Sequence, residues 1–283
     1  MRNRLLFVAL VLLVLGCQKN GNDNPQPVDP STGKCKLVSE TSDLAADPFS
    51  LSYQWGTDGL LNSVLKRKLS SSEPIDTLFF SGNTVYRSDV DKDWLKYEYA
   101  SPIHVSTVAT PATGTLTKHG TSGTEADYYE FVYTYDGQQR LTKISEKTPN
   151  FQGDYEWDIL ISYNSANNVT SLVFNFTTGP AIAPKVTVTG YDNHPTPYRS
   201  IPNYRFFMNK YHWNNPDVEP LITALSANNL TGYTIETGFS TTTRRFTNYQ
   251  YNAKGFPTSR VSTETSGSTS TTSNHHFEYT CTD

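Results

Sequence analysis

Tyr53-Gln54-Trp55-Gly56-Thr57-Asp58-Gly59-Leu60-Leu61-Asn62-Ser63-Val64 recurs without a gap as Tyr133-Thr134-Tyr135-Asp136-Gly137-Gln138-Gln139-Arg140-Leu141-Thr142-Lys143-Ile144. Ile161-Ser162-Tyr163-Asn164-Ser165-Ala166-Asn167-Asn168-Val169-Thr170-Ser171-Leu172 fits the same frame. So does Tyr249-Gln250-Tyr251-Asn252-Ala253-Lys254-Gly255-Phe256-Pro257-Thr258-Ser259-Arg260, except that its last position is not apolar. Two aromatic or apolar residues two apart face one side of a strand. Asp or Asn (Asp136, Asn164, Asn252) then opens a type I turn, with Gly56 the departure in the first copy. Three residues later the chain needs a positive φ, which Gly59, Asn167 and Gly255 tolerate and Gln139 tolerates less well. The apolar residue that follows starts the return strand. Each copy is therefore a β-hairpin.

The rest of the folded region agrees. Thr, Tyr, Val, Phe and Ile are abundant and alternate with polar residues, as in Phe131-Val132-Tyr133-Thr134-Tyr135. Helical periodicity is confined to Asp217–Leu225, with Asp217 as a cap and Pro220 within the first turn. Asn193–Leu225 carries prolines at 195, 197, 202, 216 and 220, a density excluded from central strands. Ala109–Ala126 and Ser262–Asn274 read as long hairpins with solvated tips near Thr121-Ser122-Gly123 and Ser266-Gly267. The expectation is one all-β domain over residues 35–283, with ten to fourteen strands. Its consecutive antiparallel hairpins form a curved meander or open barrel, with one irregular Pro- and aromatic-rich excursion and at most one short helix.

The frame resembles the tyrosine–aspartate (YD, RHS-type) repeat, Tyr-x-Tyr-Asp-x-x-Gly-x-Leu-x-x-Ile. The set as a whole is similar to β-repeat lipoproteins of Bacteroidetes. Tyr191-Asp192-Asn193-His194-Pro195-Thr196-Pro197-Tyr198, Ser226-Ala227-Asn228-Asn229-Leu230-Thr231 and a cysteine at each end of the domain add to the likeness. It implies a fold of consecutive antiparallel hairpins and carries no activity with it.

Arg2-Asn3-Arg4, the apolar run Leu5–Leu15 and Gly16-Cys17 make up a secretory leader. The run covers about half of a ~30 Å hydrocarbon core, too little for an ordinary span. Val14-Leu15-Gly16-Cys17 resembles the bacterial lipobox, which assigns 1–16 to a signal peptide and Cys17 to lipid (palmitate among its acyl chains). Residues 17–34 are then a lipidated cysteine and a polar tether of ~17 residues, reaching ~20–25 Å as a random coil. The address is the cell envelope, held to a membrane through the N-terminal lipid. Gln18 in place of Asp points to the outer membrane by the sorting rule of enteric bacteria; which side the domain faces stays open, as does oligomeric state.

Export puts Cys35 and Cys281 in an oxidising compartment, where a bond between them would close nearly the whole domain. Lys36-Leu37-Val38 and Phe277-Glu278-Tyr279 beside them are strand-like and able to pair. Two free buried thiols are the alternative.

Charged residues are 18 %, net charge is −4 and pI is near 5.9, with both signs interspersed. That excludes the basic footprint of a nucleic-acid binder. Asp89-Val90-Asp91-Lys92-Asp93 opens like a calcium loop but has Trp94 and Ala100 where the loop needs glycine and an acid, so it reads as a solvated acidic turn. The histidines at 104, 119, 194, 212, 275 and 276 lack zinc spacing, and His275 and His276 point to opposite faces of a strand. His119-Gly120-Thr121-Ser122-Gly123 lacks the nucleophile-elbow pattern. No catalytic residue, metal or cofactor is assigned.

For binding, Tyr204, Arg205, Phe206, Tyr211, His212 and Trp213 interleave rings with polar groups. They suit either a sugar or peptide surface or a core plug. The functional expectation is a non-enzymatic binding or structural module for a glycan or an envelope protein. The alternative is an envelope hydrolase with a spatially assembled carboxylate pair, 5–10 Å apart.

Overall fold

The computed structural model describes residues 35–44, 48–70, 74–81, 84–89, 94–99, 113–119, 125–138, 140–148, 155–176, 184–201 and 218–282. Among them are sixteen strands: β1 Cys35–Ser42, β2 Phe49–Trp55, β3 Leu61–Lys68, β4 Pro74–Ser81, β5 Thr84–Asp89, β6 Trp94–Tyr99, β7 Thr113–His119 and β8 Glu125–Tyr135. The second half holds β9 Leu141–Thr148, β10 Tyr155–Tyr163, β11 Val169–Phe176, β12 Lys185–Pro195, β13 Asn228–Glu236, β14 Thr241–Tyr251, β15 Pro257–Ser266 and β16 Thr269–Cys281. A short 3-10 helix, Pro197–Ser200, and one α-helix, α1 Val218–Leu225, lie between β12 and β13.

Each strand pairs antiparallel with its neighbours in sequence. β1 pairs with β2 on one side and β16 on the other, so the meander curves fully round into a closed barrel. The all-β domain of consecutive hairpins is as expected, but among the described residues the strands number sixteen where ten to fourteen were expected. Closure removes the exposed edges on which a chain could mispair.

The repeat frame explains the pairing. Its first position pairs with its twelfth in three copies: Tyr53 with Val64, Tyr133 with Ile144, Ile161 with Leu172. Its third pairs with its ninth across a bulge: Trp55 with Leu61, Tyr135 with Leu141, Tyr163 with Val169. At the turns, Asn164 Oδ1 accepts from the N–H groups of Ala166 and Asn168, and Asn252 Oδ1 from those of Lys254 and Phe256, all at 3.0 Å. Gly59, Asn167 and Gly255 take φ of 83°, 59° and 84°, while Gln139 lies outside the described residues. An up-and-down meander puts every second connection at the same end. The four frame turns, the excursion and the Cys35–Cys281 pair therefore share one rim.

Among the described residues, β14 and β16 turn apolar side chains inward and polar ones outward, while β10 also exposes Leu160. Arg245, Thr247 and Gln250 on β14 and Asn274, His276 and Glu278 on β16 are exposed, while Phe246 and Phe277 beside them are buried. Inward residues of β9–β14 (Ile144, Trp157, Ile159, Leu172, Phe174 and Val186 among them) pack around Val218, Leu221 and Ile222 of α1. A second cluster joins Leu37, Tyr53, Val64 and Phe277 to Tyr198 and Ile201 of the excursion. The helix read from Asp217–Leu225 is thus present and serves as core; Asp217 itself lies outside the described residues.

Candidate functional site

Copy four of the frame ends in Arg260 where the other copies end in Val64, Ile144 and Leu172. Arg260 keeps their inward position and is fully buried. A lone buried guanidinium is untenable, so a partner must come from elsewhere. It is Glu219, brought by α1: one carboxylate oxygen bonds Arg260 Nη2, the other accepts from Arg244 Nη1 at 2.7 Å, and Arg244 also pairs with Glu264. Burial pushes the Glu219 carboxyl up, but the charges of Arg260 and then Arg244 outweigh it and hold it well below the usual range. The Arg260 guanidinium also lies over the Phe246 ring at 4.4 Å and the Phe277 ring at 5.6 Å. With both oxygens engaged and its proton lost, Glu219 does not supply the general acid of a carboxylate-pair hydrolase.

Beside this cluster, Glu40 of β1 is buried. Its Oε2 accepts from the phenols of Tyr198 (2.8 Å) and Tyr53 (3.2 Å). Oε1 faces His275 Nδ1 at 3.7 Å, and His275 Nε2 lies 3.2 Å from Ser273 Oγ. His275 is buried and His276 exposed, as strand alternation requires.

A second feature of the wall is an opening between two strands. β11 and β12 pair only between Ser171–Val173 and Lys185–Thr187, then part toward the rim. Tyr191 spans the gap: its OH donates to Val169 O (2.7 Å) and lies 2.8 Å from Ser226 Oγ, while that Oγ accepts from Val169 N–H at 3.1 Å. Burial raises the Tyr191 phenol, keeping it a donor. Outside this strut is a recess of about 430 Å³ lined by Asn164, Thr170, Thr189, Asp192 and Asn193, among others, with no lysine or arginine. The Asp192 carboxylate accepts from Tyr251 OH (2.5 Å), Asn229 Nδ2 (3.2 Å) and His194 N–H (2.8 Å), and the His194 ring stacks on Tyr251 at 3.8 Å. The lining thus offers amide and hydroxyl groups, one carboxylate and the Tyr191 ring.

Of the residues singled out by sequence, Cys35 and Cys281 are brought together in a disulfide with Cα atoms 3.9 Å apart. Cys17, the tether 17–34 and the aromatic set Tyr204, Arg205, Phe206, Tyr211, His212 and Trp213 lie outside the described residues. Among the described residues no group of three or more His, Cys, Asp or Glu converges as a metal site. Glu40, Glu219, Arg244, His275 and Asp192 were missed by sequence reasoning, since they come from separate elements. Only the break in the frame at Arg260 pointed toward them.

No known family model matches the chain, and no curated protein matches it. Among solved structures it is similar to a porin-like protein from Bacteroides uniformis ATCC 8492, with 14 % identity, a TM-score of 0.54, and 86 % of this chain and 96 % of that one covered. A porin-like protein from Bacteroides vulgatus ATCC 8482 matches at 12 % identity and a TM-score of 0.49, over 86 % of this chain and 98 % of that one. The likeness to the first is one of fold.

Proposed function

We propose that this chain is a cell-envelope lipoprotein whose barrel stands in water beside the membrane, held by the lipid on Cys17, and acts as a binding or structural module. Its outer-membrane placement and its kinship with tyrosine–aspartate repeat proteins belong to the same proposal. The observation that carries it is the sense of the wall. A membrane-spanning barrel turns apolar residues toward lipid and polar ones inward. Strands β14 and β16 do the reverse, with Arg245, Thr247, Asn274, His276 and Glu278 outside and Phe246 and Phe277 inside, and Ile159 and Leu172 of β10 and β11 also face inward. The recess between β11 and β12 is the ligand site of this reading, with a glycan as the ligand that its amides, hydroxyls, single carboxylate and Tyr191 ring favour and an envelope protein as the other.

The test is fractionation of the full-length protein and of Cys17→Ser. The unaltered protein should incorporate labelled palmitate and sediment with membranes. Cys17→Ser should lose the label and, once released from membranes by alkaline carbonate, stay folded without detergent. A Cys17→Ser protein that resists carbonate as an integral barrel does would overturn the reading.

A further inference from the structure

Along the inward face of β16, Thr271 is exposed, whereas Ser273 (6 % exposed), His275 (8 %) and Phe277 (3 %) are buried. Ser273 is the first sheltered side chain below the solvent-exposed end of that face. Its hydroxyl touches His275 Nε2, and the other ring nitrogen of His275 faces Glu40. We propose that Ser273, His275 and Glu40 form a nucleophile, a general base and an orienting carboxylate that hydrolyse short-chain carboxylic esters entering the lumen. This adds an activity to the binding-module reading and uses a different part of the barrel.

Strand geometry assembles the set. Ser273 and His275, two apart on β16, share a face. Glu40 would point outward if β1 alternated regularly from the buried Leu37. The irregularity between Leu37 and Ser39 shifts the register by one and turns Glu40 inward, while Ser39 Oγ bonds Glu278 on the outside. Bulges that re-aim a side chain in this way are over-represented beside active sites.

The carboxylate is also held as an orienting group needs to be. Tyr53 and Tyr198 fix Oε2, leaving Oε1 toward His275 Nδ1. That nitrogen is buried and has no hydrogen bond at 3.7 Å, a separation that tightens in working sites once substrate is bound. Arg260 lies directly across from His275 in the β15–β16 register, fully buried, with its Nε–H outside any hydrogen bond. It is the cationic donor beside the three residues for charge developing on an oxyanion. The charged groups around His275 among the described residues are Glu40 on β1, Asp43 just after β1, Arg260 on β15 and Glu219 on α1.

The chemistry balances. His275 Nε2 takes the Ser273 proton as Oγ bonds to the ester carbonyl carbon and the carbonyl electron pair moves onto oxygen. Collapse breaks the bond to the alkoxy group, which leaves as an alcohol with the proton from His275. Water then adds to the acyl carbon, giving a proton to His275. The second collapse breaks the acyl–Oγ bond and returns that proton to Ser273, releasing the carboxylic acid. The shelter of Ser273 limits the acyl group to a short one.

The test uses the full-length lipoprotein in detergent with p-nitrophenyl acetate, p-nitrophenyl butyrate and a small fluorophosphonate. The fluorophosphonate should add once, on Ser273, by peptide mass spectrometry of the unaltered protein. Ser273→Ala should abolish hydrolysis, and Glu40→Gln should lower kcat by about 10²–10⁴-fold. His275→Gln should slow fluorophosphonate labelling of Ser273 by about 10²–10⁴-fold in a variant that still melts as folded protein, a readout that a structural role would not move. Thermal melts confirm that each variant is folded, and the labelling of unaltered protein needs no variant. Failure of Ser273 to label, labelling at another serine instead, or hydrolysis undiminished in folded Ser273→Ala would each sink the proposal.

Discussion

Cys35 and Cys281, separated by 246 positions in sequence, face each other as the first register pair of β1 and β16 and are joined by a disulfide. The bond sits where the two ends of the sheet meet. Six further register pairs down to Ser42–His275 continue the contact, so the hydrogen-bonded ladder closes the barrel and the disulfide staples it. In the chain-entropy treatment a loop of this length is worth about 5 kcal/mol. Reduction, or Cys35→Ser with Cys281→Ser, should lower stability by up to about that amount while leaving the strand circular-dichroism spectrum in place. Non-reducing mass spectrometry that found both thiols alkylatable in the exported protein would contradict the bond.

The frame turns are the next place to test. Gly255 holds φ at 84°, where a Cβ crowds the following carbonyl. Gly255→Ala should cost about 1–2 kcal/mol in chemical denaturation. Asn252→Ala removes the acceptor of two backbone N–H groups and should cost about 1 kcal/mol. A neutral result for both would mean that the turns do not set the hairpins.

Glu219 is the counter-charge of a fully buried arginine. Glu219→Gln should destabilise by about 3–5 kcal/mol, because Arg260 is then buried without its anion. Replacing Glu219 by Leu and Arg260 by Met together should cost less than the sum of the single changes. The sign with pH follows from the lowered carboxyl. Its contribution is present above the ordinary glutamate value of 4.5 and is lost as pH falls below that toward the depressed native value. Acid melts of the unaltered protein should steepen in that window, and those of the double variant should not.

Tyr251 gives an alkaline counterpart. Burial, together with its bond to the Asp192 carboxylate, raises its phenol above the ordinary value of 10. The stabilisation from that bond is intact below pH 10 and is lost as pH rises through the raised native value. In a spectrophotometric titration Tyr251→Phe should remove one late-ionising phenol. Asp192→Asn should make that phenol ionise earlier, and the same variant should weaken glycan binding at the recess.

Much of the barrel was legible in the residues. The four-copy frame indicated hairpins whose first and twelfth positions meet, and the α-helix of the described residues was visible as the apolar spacing of Val218–Leu225. Ser262–Asn274 read as a long hairpin, and its tip is at Gly267, with φ of 58°. The strand number was not legible, because the frame marks only four of the turns. Glu40 was illegible for a local reason: the irregularity that turns it inward lies between Leu37 and Ser39, where the sequence shows only an ordinary strand. Arg260 was visible as the one twelfth position of the frame that is not apolar, but its meaning depended on α1.

By itself, then, the sequence determined the turns and the in–out sense of the strands. Each turn closes with hydrogen bonds among five neighbouring residues, as from Asn252 to Phe256, and alternation fixes which side chains share a face. Only the tertiary structure decided that the sheet closes and which charges meet inside it. Glu219 reaches Arg260 from 41 positions away, and Tyr198 reaches Glu40 from 158. Such pairings rest on the curvature of the whole sheet and on an excursion that folds back into it. A buried charge is stable only where both partners arrive together, so its place in the protein exists only once the barrel has closed around it.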